Sequence, residues 1–165
     1  PLIHGGKQEK GLRAGTHNVP AIIGLGKASE LALLSLSGSE EIKQLRDKLE
    51  RGIRELIPEV KLNGHPEKRL PNTLNLTFPQ LRAESLVVAL DQHGIALSSG
   101  SACKAGSPKP THVLIAMGKS EEDAHCTVRF SLSNETREKD IDDTISVISQ
   151  VLEKMETTIR FLPCK

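Results

Sequence analysis

One cysteine of this chain lies in a run of small residues that two prolines close. The run covers residues 98–103 (Ser-Ser-Gly-Ser-Ala-Cys), and Pro108 and Pro110 follow it. Small residues pack little and glycine tolerates many backbone angles, so we expect Cys103 on an exposed loop that can move. Lys104 stands beside it and favours the thiolate, which is the nucleophilic form of cysteine. Cys103 is therefore the candidate nucleophile, although a loop cysteine taken alone is more often incidental than catalytic.

Two other segments contain residues suited to binding anions. Residues 4–18 contain four glycines with lysine, arginine and threonine, directly before a predicted helix. Main-chain N–H groups in such a turn can converge on a phosphate, and a plain glycine-rich connector is an equally good interpretation. Arg129 should lie on the opposite face of its strand from Val128 and Phe130, because side chains alternate. Arginine is well suited to bidentate hydrogen bonding with a carboxylate. An arginine at this kind of position is nevertheless more often a surface residue at a sheet edge than a binding residue.

Composition excludes several classes of function. The chain has 165 residues, of which 37% are hydrophobic and 2% aromatic, so it can form one modest domain with an aliphatic core. A net charge of +1 and so few aromatic residues argue against nucleic-acid binding. Three cysteines without a CxxC pair argue against a disulfide framework and a zinc site. We see no signal peptide and no apolar run near the roughly 20 residues of a membrane span, so we expect a cytoplasmic protein.

Hydrophobic patterning predicts an α/β fold, in which a small and mainly antiparallel sheet is covered by helices. Short strands are predicted at residues 60–62, 74–78 and 127–132, with a strand end at 95–97. Residues 1–36 are expected to belong partly to another domain.

Helices are predicted at six places. They should begin near Pro20, at the capping pattern Ser37–Glu40, at Ala83, at Thr111, after Ser120 and at the cap Thr136. The first is apolar over most of its circumference, so we expect it to be buried, with Gly24 and Gly26 allowing close approach of another element. The charged residues of the second, Arg46 among them, are expected to face solvent.

Three motifs together resemble the NifS/IscS-type cysteine desulfurases, which are pyridoxal-phosphate enzymes of the aminotransferase class V family. The cysteine run, followed by Gly-Ser-Pro-x-Pro-Thr-His-Val-Leu, is similar to the active-site loop of these enzymes. Residues 5–16 are similar to the pattern Gly-Gly-x-Gln-Glu-x-Gly-x-Arg-x-Gly-Thr, with Lys7 where many members carry a third glycine. Residues 128–132 are similar to Ile/Val-Arg-Phe-Ser-Leu.

The resemblance implies a role for one residue in each motif. Cys103 would take sulfur from L-cysteine as a persulfide, leaving L-alanine, and Arg129 would bind the α-carboxylate of the substrate. Thr16 would donate its hydroxyl to the pyridoxal phosphate held by the neighbouring subunit of a homodimer. The persulfide sulfur would pass to an iron–sulfur scaffold or another acceptor protein.

The lysine that holds pyridoxal phosphate in this family has no counterpart here, because none of the lysines stands in a matching context. We therefore expect the C-terminal part of a desulfurase of fold type I, inactive alone. Residues 1–36 would be the trailing segment of the large cofactor domain plus a connecting helix, and residues 37–165 the small domain with the cysteine loop. The alternative is a non-catalytic module that carries a persulfide or mediates dimerisation.

Overall fold

The computed structural model describes residues 1–79, 81–99 and 110–159. These residues form two compact units, of which the first ends at Ser37 and the second begins at Gly38. In chain order the elements are α1 Val19–Ser35, α2 Ser39–Leu56, β1 Lys61–Leu62, β2 Thr73–Thr77, α3 Ala83–Asp91, α4 His112–Ala116, α5 Glu121–His125, β3 Thr127–Ser131 and α6 Glu138–Ile159. Short 3₁₀ turns occupy Glu9–Gly11 and Leu36–Gly38.

The second unit is built on an antiparallel sheet with strand order β1-β2-β3. Leu74 lies opposite Phe130 and Leu76 opposite Val128, and all four side chains are buried. The predicted α/β class with a small antiparallel sheet and helices is confirmed. The strand end predicted at residues 95–97 is replaced by a single bridge between Ser98 and Arg129.

One face of the sheet carries the hydrophobic core. Helices α2, α3 and α6 cover it, and α2 packs along α6. The residues that are fully buried there include Phe78, Leu49, Ile53, Leu74, Leu76, Leu86, Leu90, Ile148 and Val128. Each such side chain stabilises the fold by about 1.5–3 kcal/mol through removal of apolar surface from water.

Helix α1 begins as predicted but is not buried. Pro20 lies in its first turn, and the side chain of Asn18 accepts a hydrogen bond from the amide of Ala21. No residue of α1 is buried, and a Cβ at Gly24 or Gly26 would meet nothing within 4 Å. The prediction of a buried helix is therefore wrong for the described residues, because an apolar circumference shows that a helix needs cover but not where the cover comes from.

The composition of α1 bears on the expectation that no apolar run approaches the length of a membrane span. Within the described residues, the helical stretch Val19–Leu56 contains a window of mean hydropathy 1.5, which is long and apolar enough to cross a membrane, and none of the window is buried. The stretch is this apolar because α1 contains only two charged residues, Lys27 and Glu30. A helix that packs against protein has the same composition, so length and composition do not separate the two cases.

Arg46 departs from the predicted solvent-facing charges of α2. Its side chain is almost completely buried, and Nη1 donates to the main-chain oxygen of Leu70 at 2.7 Å. Nε and Nη2 donate to Oδ1 of Asp47 at 2.9 and 2.6 Å. An arginine can be buried when its donors are satisfied in this way.

Four predicted helix starts agree with the structure, near Pro20, at Ala83, at Thr111 and after Ser120, whereas the predicted caps of α2 and α6 are wrong. Ser120 Oγ accepts from the amide of Asp123 and caps α5, as predicted. The cap position of α2 is held by Gly38, which has no side chain to offer. Thr136 Oγ1 accepts from the amide of Ser133 and so closes the turn before α6, which begins only at Glu138.

Gly52 sets the distance between α2 and α6. A Cβ built on Gly52 would lie 2.9 Å from Cγ1 of Ile145 and closer still to its Cδ1, inside van der Waals contact. The absence of a side chain at Gly52 therefore lets the half-buried Ile145 of α6 lie against the backbone of α2.

Gly52→Ala should lower the free energy of unfolding by up to about 2 kcal/mol, because overpacking costs about 1–3 kcal/mol and the better helix propensity of alanine returns about 1 kcal/mol. Chemical denaturation of the chain measures this. In an Ile145→Ala background, which lacks Cγ1, Cγ2 and Cδ1, the same substitution should be neutral or stabilising. A stabilising effect of Gly52→Ala with Ile145 present would show that the contact is not tight.

Candidate functional site

A pocket of about 290 Å³ opens on the sheet face that is turned away from the core. Its lining residues are Asn63, Asn75, Ser99, Thr111, Val113, Leu114, Met117, Thr127 and Arg129. Polar side chains of the sheet form one part of the lining, and apolar side chains of α4 and the residue after it form another. The pocket therefore combines hydrogen-bonding groups with a surface that excludes water.

Arg129 projects into this pocket from the middle of β3. It is exposed, whereas Val128 and Phe130 on either side are buried, so the predicted alternation is confirmed. Within the described residues its guanidinium makes no hydrogen bond and no ion pair. A guanidinium has five N–H donors and a fixed positive charge, so Arg129 can bind an anion without first releasing a protein carboxylate.

The chain on both sides of residues 100–109 lies at this pocket. The amide of Arg129 donates to Ser98 O at 2.8 Å, and the amide of Ser98 donates to Arg129 O at 3.3 Å. Ser99 and Thr111 both line the pocket. Cys103, the predicted nucleophile, lies outside the described residues, as does Cys164.

Asn75 and Arg129 form a non-hydrogen-bonded pair of the antiparallel sheet. They are register partners, yet Arg129 directs its main-chain groups to Ser98, and the main-chain oxygen of Asn75 accepts from the amide of Asn63 at 2.9 Å. The two residues therefore exchange no main-chain hydrogen bonds with each other, and in such a pair the side chains come closest. Their Cβ atoms should lie about 4.5–5.5 Å apart.

A chain of hydrogen bonds connects the polar side chains of the three strands. Asn63 Nδ2 lies 2.9 Å from both Asn75 Oδ1 and Thr77 Oγ1. Thr77 Oγ1 lies 2.8 Å from Thr127 Oγ1, which lies 2.6 Å from the main-chain oxygen of Asp123. Sequence analysis missed these residues, although the alternation Leu-Asn-Leu-Thr in β2 places Asn75 and Thr77 on the face away from the core.

Thr16, in the first unit, follows a glycine-rich turn. It is exposed, and its hydroxyl makes no hydrogen bond within the described residues. Arg13 Nη1 donates to Gly15 O at 3.1 Å, and Gly15, at φ +103°, adopts a left-handed conformation that favours glycine. A free hydroxyl close to a guanidinium is chemically suited to a phosphate group.

Cys126, just before β3, is buried and unreactive by environment. Its side chain is 5% exposed. Burial raises the pKa of the Cys126 thiol, and the nearby charge of Arg82 opposes that rise. The thiol form therefore persists at neutral pH, as expected for a structural cysteine.

Comparison with known proteins places this arrangement in context. A family model described as aminotransferase class V matches residues 4–144. Cysteine desulfurase 2 of Trichormus variabilis is 45% identical over 161 residues, which cover 98% of this chain and 40% of that protein. The cysteine desulfurase NifS of Azotobacter vinelandii is 46% identical over 156 residues, covering 94% of this chain and 39% of that protein.

Solved structures agree with these relatives. A NifS-like protein from Rickettsia africae superimposes with a TM-score of 0.79 at 36% identity, covering 93% of this chain and 40% of that one. The chain thus spans about 40% of the length of the curated relatives that it matches.

Cys126 should be the slowest thiol of the chain to react with iodoacetamide at about pH 8, because burial excludes the reagent and disfavours the thiolate. Peptide mass mapping after a brief exposure measures the labelling of all three cysteines. Unfolding in guanidinium is the control and should raise the rate at Cys126 by at least about tenfold. Equal rates at Cys126 in folded and unfolded protein would contradict its burial.

Proposed function

The chain belongs to the aminotransferase class V family, and on that premise we propose that it is the C-terminal part of a cysteine desulfurase. The complete protein would remove sulfur from L-cysteine, releasing L-alanine and leaving a persulfide on Cys103. The chain alone would be inactive, because none of its lysines stands in the family's pyridoxal-lysine context.

The observation that carries this proposal is the position of Arg129. Its guanidinium, which is unpaired within the described residues, lies in a pocket that Ser99 and Thr111 also line, and the segment with Cys103 connects those two residues. Four residues of chain reach at most about 14 Å, so the Cα of Cys103 cannot lie farther than that from the Cα of Ser99. The length of the connecting chain therefore permits Cys103 to reach a substrate that Arg129 binds.

Arg129 would bind and orient the substrate. Two parallel hydrogen bonds from the guanidinium to the α-carboxylate fix the direction in which the rest of the amino acid points. Val113, Leu114 and Met117 line the pocket with apolar surface. That surface excludes water and so strengthens the attraction between the two charges.

Cys103 would act on the sulfur of the bound substrate. Its thiolate forms a bond to the substrate sulfur while the bond between that sulfur and the substrate Cβ breaks. The electron pair of the broken bond stays with the substrate Cβ, which takes up a proton. The three-carbon product then leaves as alanine, and the sulfur remains on Cys103 as a persulfide. A thiolate is the required form, and Lys104 beside it in sequence favours that form.

The cofactor would be held mostly by residues outside this chain. Pyridoxal phosphate, when bound, supplies the electron sink that chemistry at the amino-acid carbons requires. From this chain, Thr16 would donate its hydroxyl to the phosphate bound in the neighbouring subunit, and the positive charge of Arg13 would favour the anion. This role makes the proposed protein a homodimer.

Residues 1–36 would be the trailing segment of the large cofactor domain, and residues 37–165 the small domain. The persulfide sulfur would pass to an iron–sulfur scaffold or another acceptor protein in the cytoplasm.

Arg129→Ala in the full-length protein should raise the Michaelis constant for L-cysteine by about 30- to 1000-fold, because a charge-assisted contact with two hydrogen bonds is worth about 2–4 kcal/mol. Steady-state alanine formation measures it. Arg129→Lys keeps the positive charge but cannot donate two parallel hydrogen bonds to one carboxylate. The Michaelis constant of this variant should therefore lie between those of the wild type and Arg129→Ala. An unchanged Michaelis constant in Arg129→Ala would remove this residue from the substrate site.

Cys103→Ser should abolish persulfide formation, because a hydroxyl cannot replace the thiolate in attack on sulfur. Mass spectrometry after one turnover with L-cysteine should find one added sulfur on the Cys103 peptide of the wild-type protein and none in the variant. Cys126→Ala is the matched control and should keep the modification. Added sulfur on the peptide with Cys126 or Cys164 instead would identify a different nucleophile.

A further inference from the structure

The hydrogen bonds beside the pocket have a direction that is set at one end. Thr127 Oγ1 lies 2.6 Å from the main-chain oxygen of Asp123, and a carbonyl oxygen can only accept. Thr127 must therefore give its single proton to Asp123. It follows that Thr127 accepts the proton of Thr77, whose Oγ1 lies 2.8 Å away. Thr77 then has no proton left to donate.

The direction of these bonds also fixes the orientation of the side-chain amides of Asn63 and Asn75. Because Thr77 Oγ1 can only accept, Asn63 must turn Nδ2 toward it, at 2.9 Å. The second proton of Asn63 Nδ2 is donated to Oδ1 of Asn75, also at 2.9 Å. The oxygen and nitrogen of an amide are commonly assigned only from such networks. Here one main-chain carbonyl decides both assignments.

Asn75 is left with a donor on the side of Arg129. Its Oδ1 faces Asn63, and its Nδ2 makes no hydrogen bond within the described residues. Since β2 lies between β1 and β3, the side of Asn75 away from Asn63 is the side of Arg129. An amide NH₂ and a guanidinium so close together offer donors only, which suits an ion that only accepts, such as a carboxylate.

Asn63 contributes a second sign that a ligand belongs here. Its Oδ1 is buried and has no hydrogen-bond partner among the residues that the structure describes, in a residue that is 7% exposed and lines the pocket. Buried polar atoms of this kind are normally satisfied by water or by a ligand.

We propose that Asn75 supplies the second donor of the substrate-carboxylate site, beside Arg129, and that Asn63 is a positioning residue that fixes the direction of this donor. The inference rests on the proposed function and names a further substrate-binding group of the same site. The bond chain from Asp123 O through Thr127 and Thr77 keeps Asn63 in the required orientation.

Asn75→Asp in the full-length protein tests the first part. Aspartate has the same shape and still accepts from Asn63, but it presents an oxygen to the substrate carboxylate in place of the NH₂ group. The Michaelis constant for L-cysteine should rise by about 10- to 100-fold or more, as expected for loss of a hydrogen bond to a charged group, while kcat changes by less than about threefold. An unchanged Michaelis constant would overturn the proposal.

Two inhibitors show whether the effect acts on the carboxylate. 3-Mercaptopropionate keeps the carboxylate of cysteine but lacks its amine, and cysteamine keeps the amine but lacks the carboxylate. Asn75→Asp should weaken competitive inhibition by 3-mercaptopropionate and should not weaken inhibition by cysteamine, whose positive charge is opposite to that of the new aspartate. Equal weakening of both would mean that the substitution disturbs the pocket in general, and this would overturn the assignment.

Substitutions at Thr77 test the positioning role. Thr77→Val keeps the shape but removes the acceptor that orients Asn63, so the Michaelis constant should rise by about 3- to 10-fold with kcat little changed, as for loss of one neutral hydrogen bond. The conservative Thr77→Ser should restore the wild-type value. Thr73→Val, on the same face of β2 but outside the bond chain, is the matched control. Equal effects of Thr77→Val and Thr73→Val would overturn the positioning role.

The outcomes separate this inference from the function on which it rests. A full-length protein that forms no alanine from L-cysteine overturns both. A normal effect of Arg129→Ala together with an unchanged Michaelis constant in Asn75→Asp overturns only the role of Asn75.

Discussion

The pairing register of β2 with β3 is the constraint on which the rest of the structure depends. It sets Leu76 opposite Val128 on the core face and Asn75 opposite Arg129 on the pocket face. A slip of one residue would turn Arg129 toward the helices and Val128 toward the pocket, because side chains alternate along a strand. Burying an unpaired guanidinium would cost several kcal/mol. The hydrophobic core and the binding pocket therefore stabilise the same register.

Features that depend on neighbours in sequence could be predicted. Alternation placed Arg129 on the outer face of its strand, and the pattern after Ser120 identified a real helix cap. In each case the deciding interaction spans only a few residues, so the local pattern contains the necessary information.

Features that depend on partners distant in sequence could not be predicted. Arg46 is buried because it reaches the carbonyl of Leu70, and nothing near Arg46 in sequence indicates that partner. The bond chain requires Asn63 to meet Thr77 across β1 and β2, and Thr77 to meet Thr127 across β2 and β3. Alternation shows which face a side chain occupies, but only strand pairing shows which side chains become neighbours.

The one-way bond chain has a consequence for how this sheet can change during evolution. Each hydroxyl in the bond chain can accept a hydrogen bond because its own proton is already donated to the next residue. The last acceptor is the main-chain oxygen of Asp123, which no substitution removes. A lineage that replaced Thr77 by valine would lose the reason to keep Asn63 as an amide, and Asn75 would lose its fixed orientation with it. Positions 63, 75, 77 and 127 should therefore be inherited as a set, so that covariation among related sequences would trace the bonds one by one.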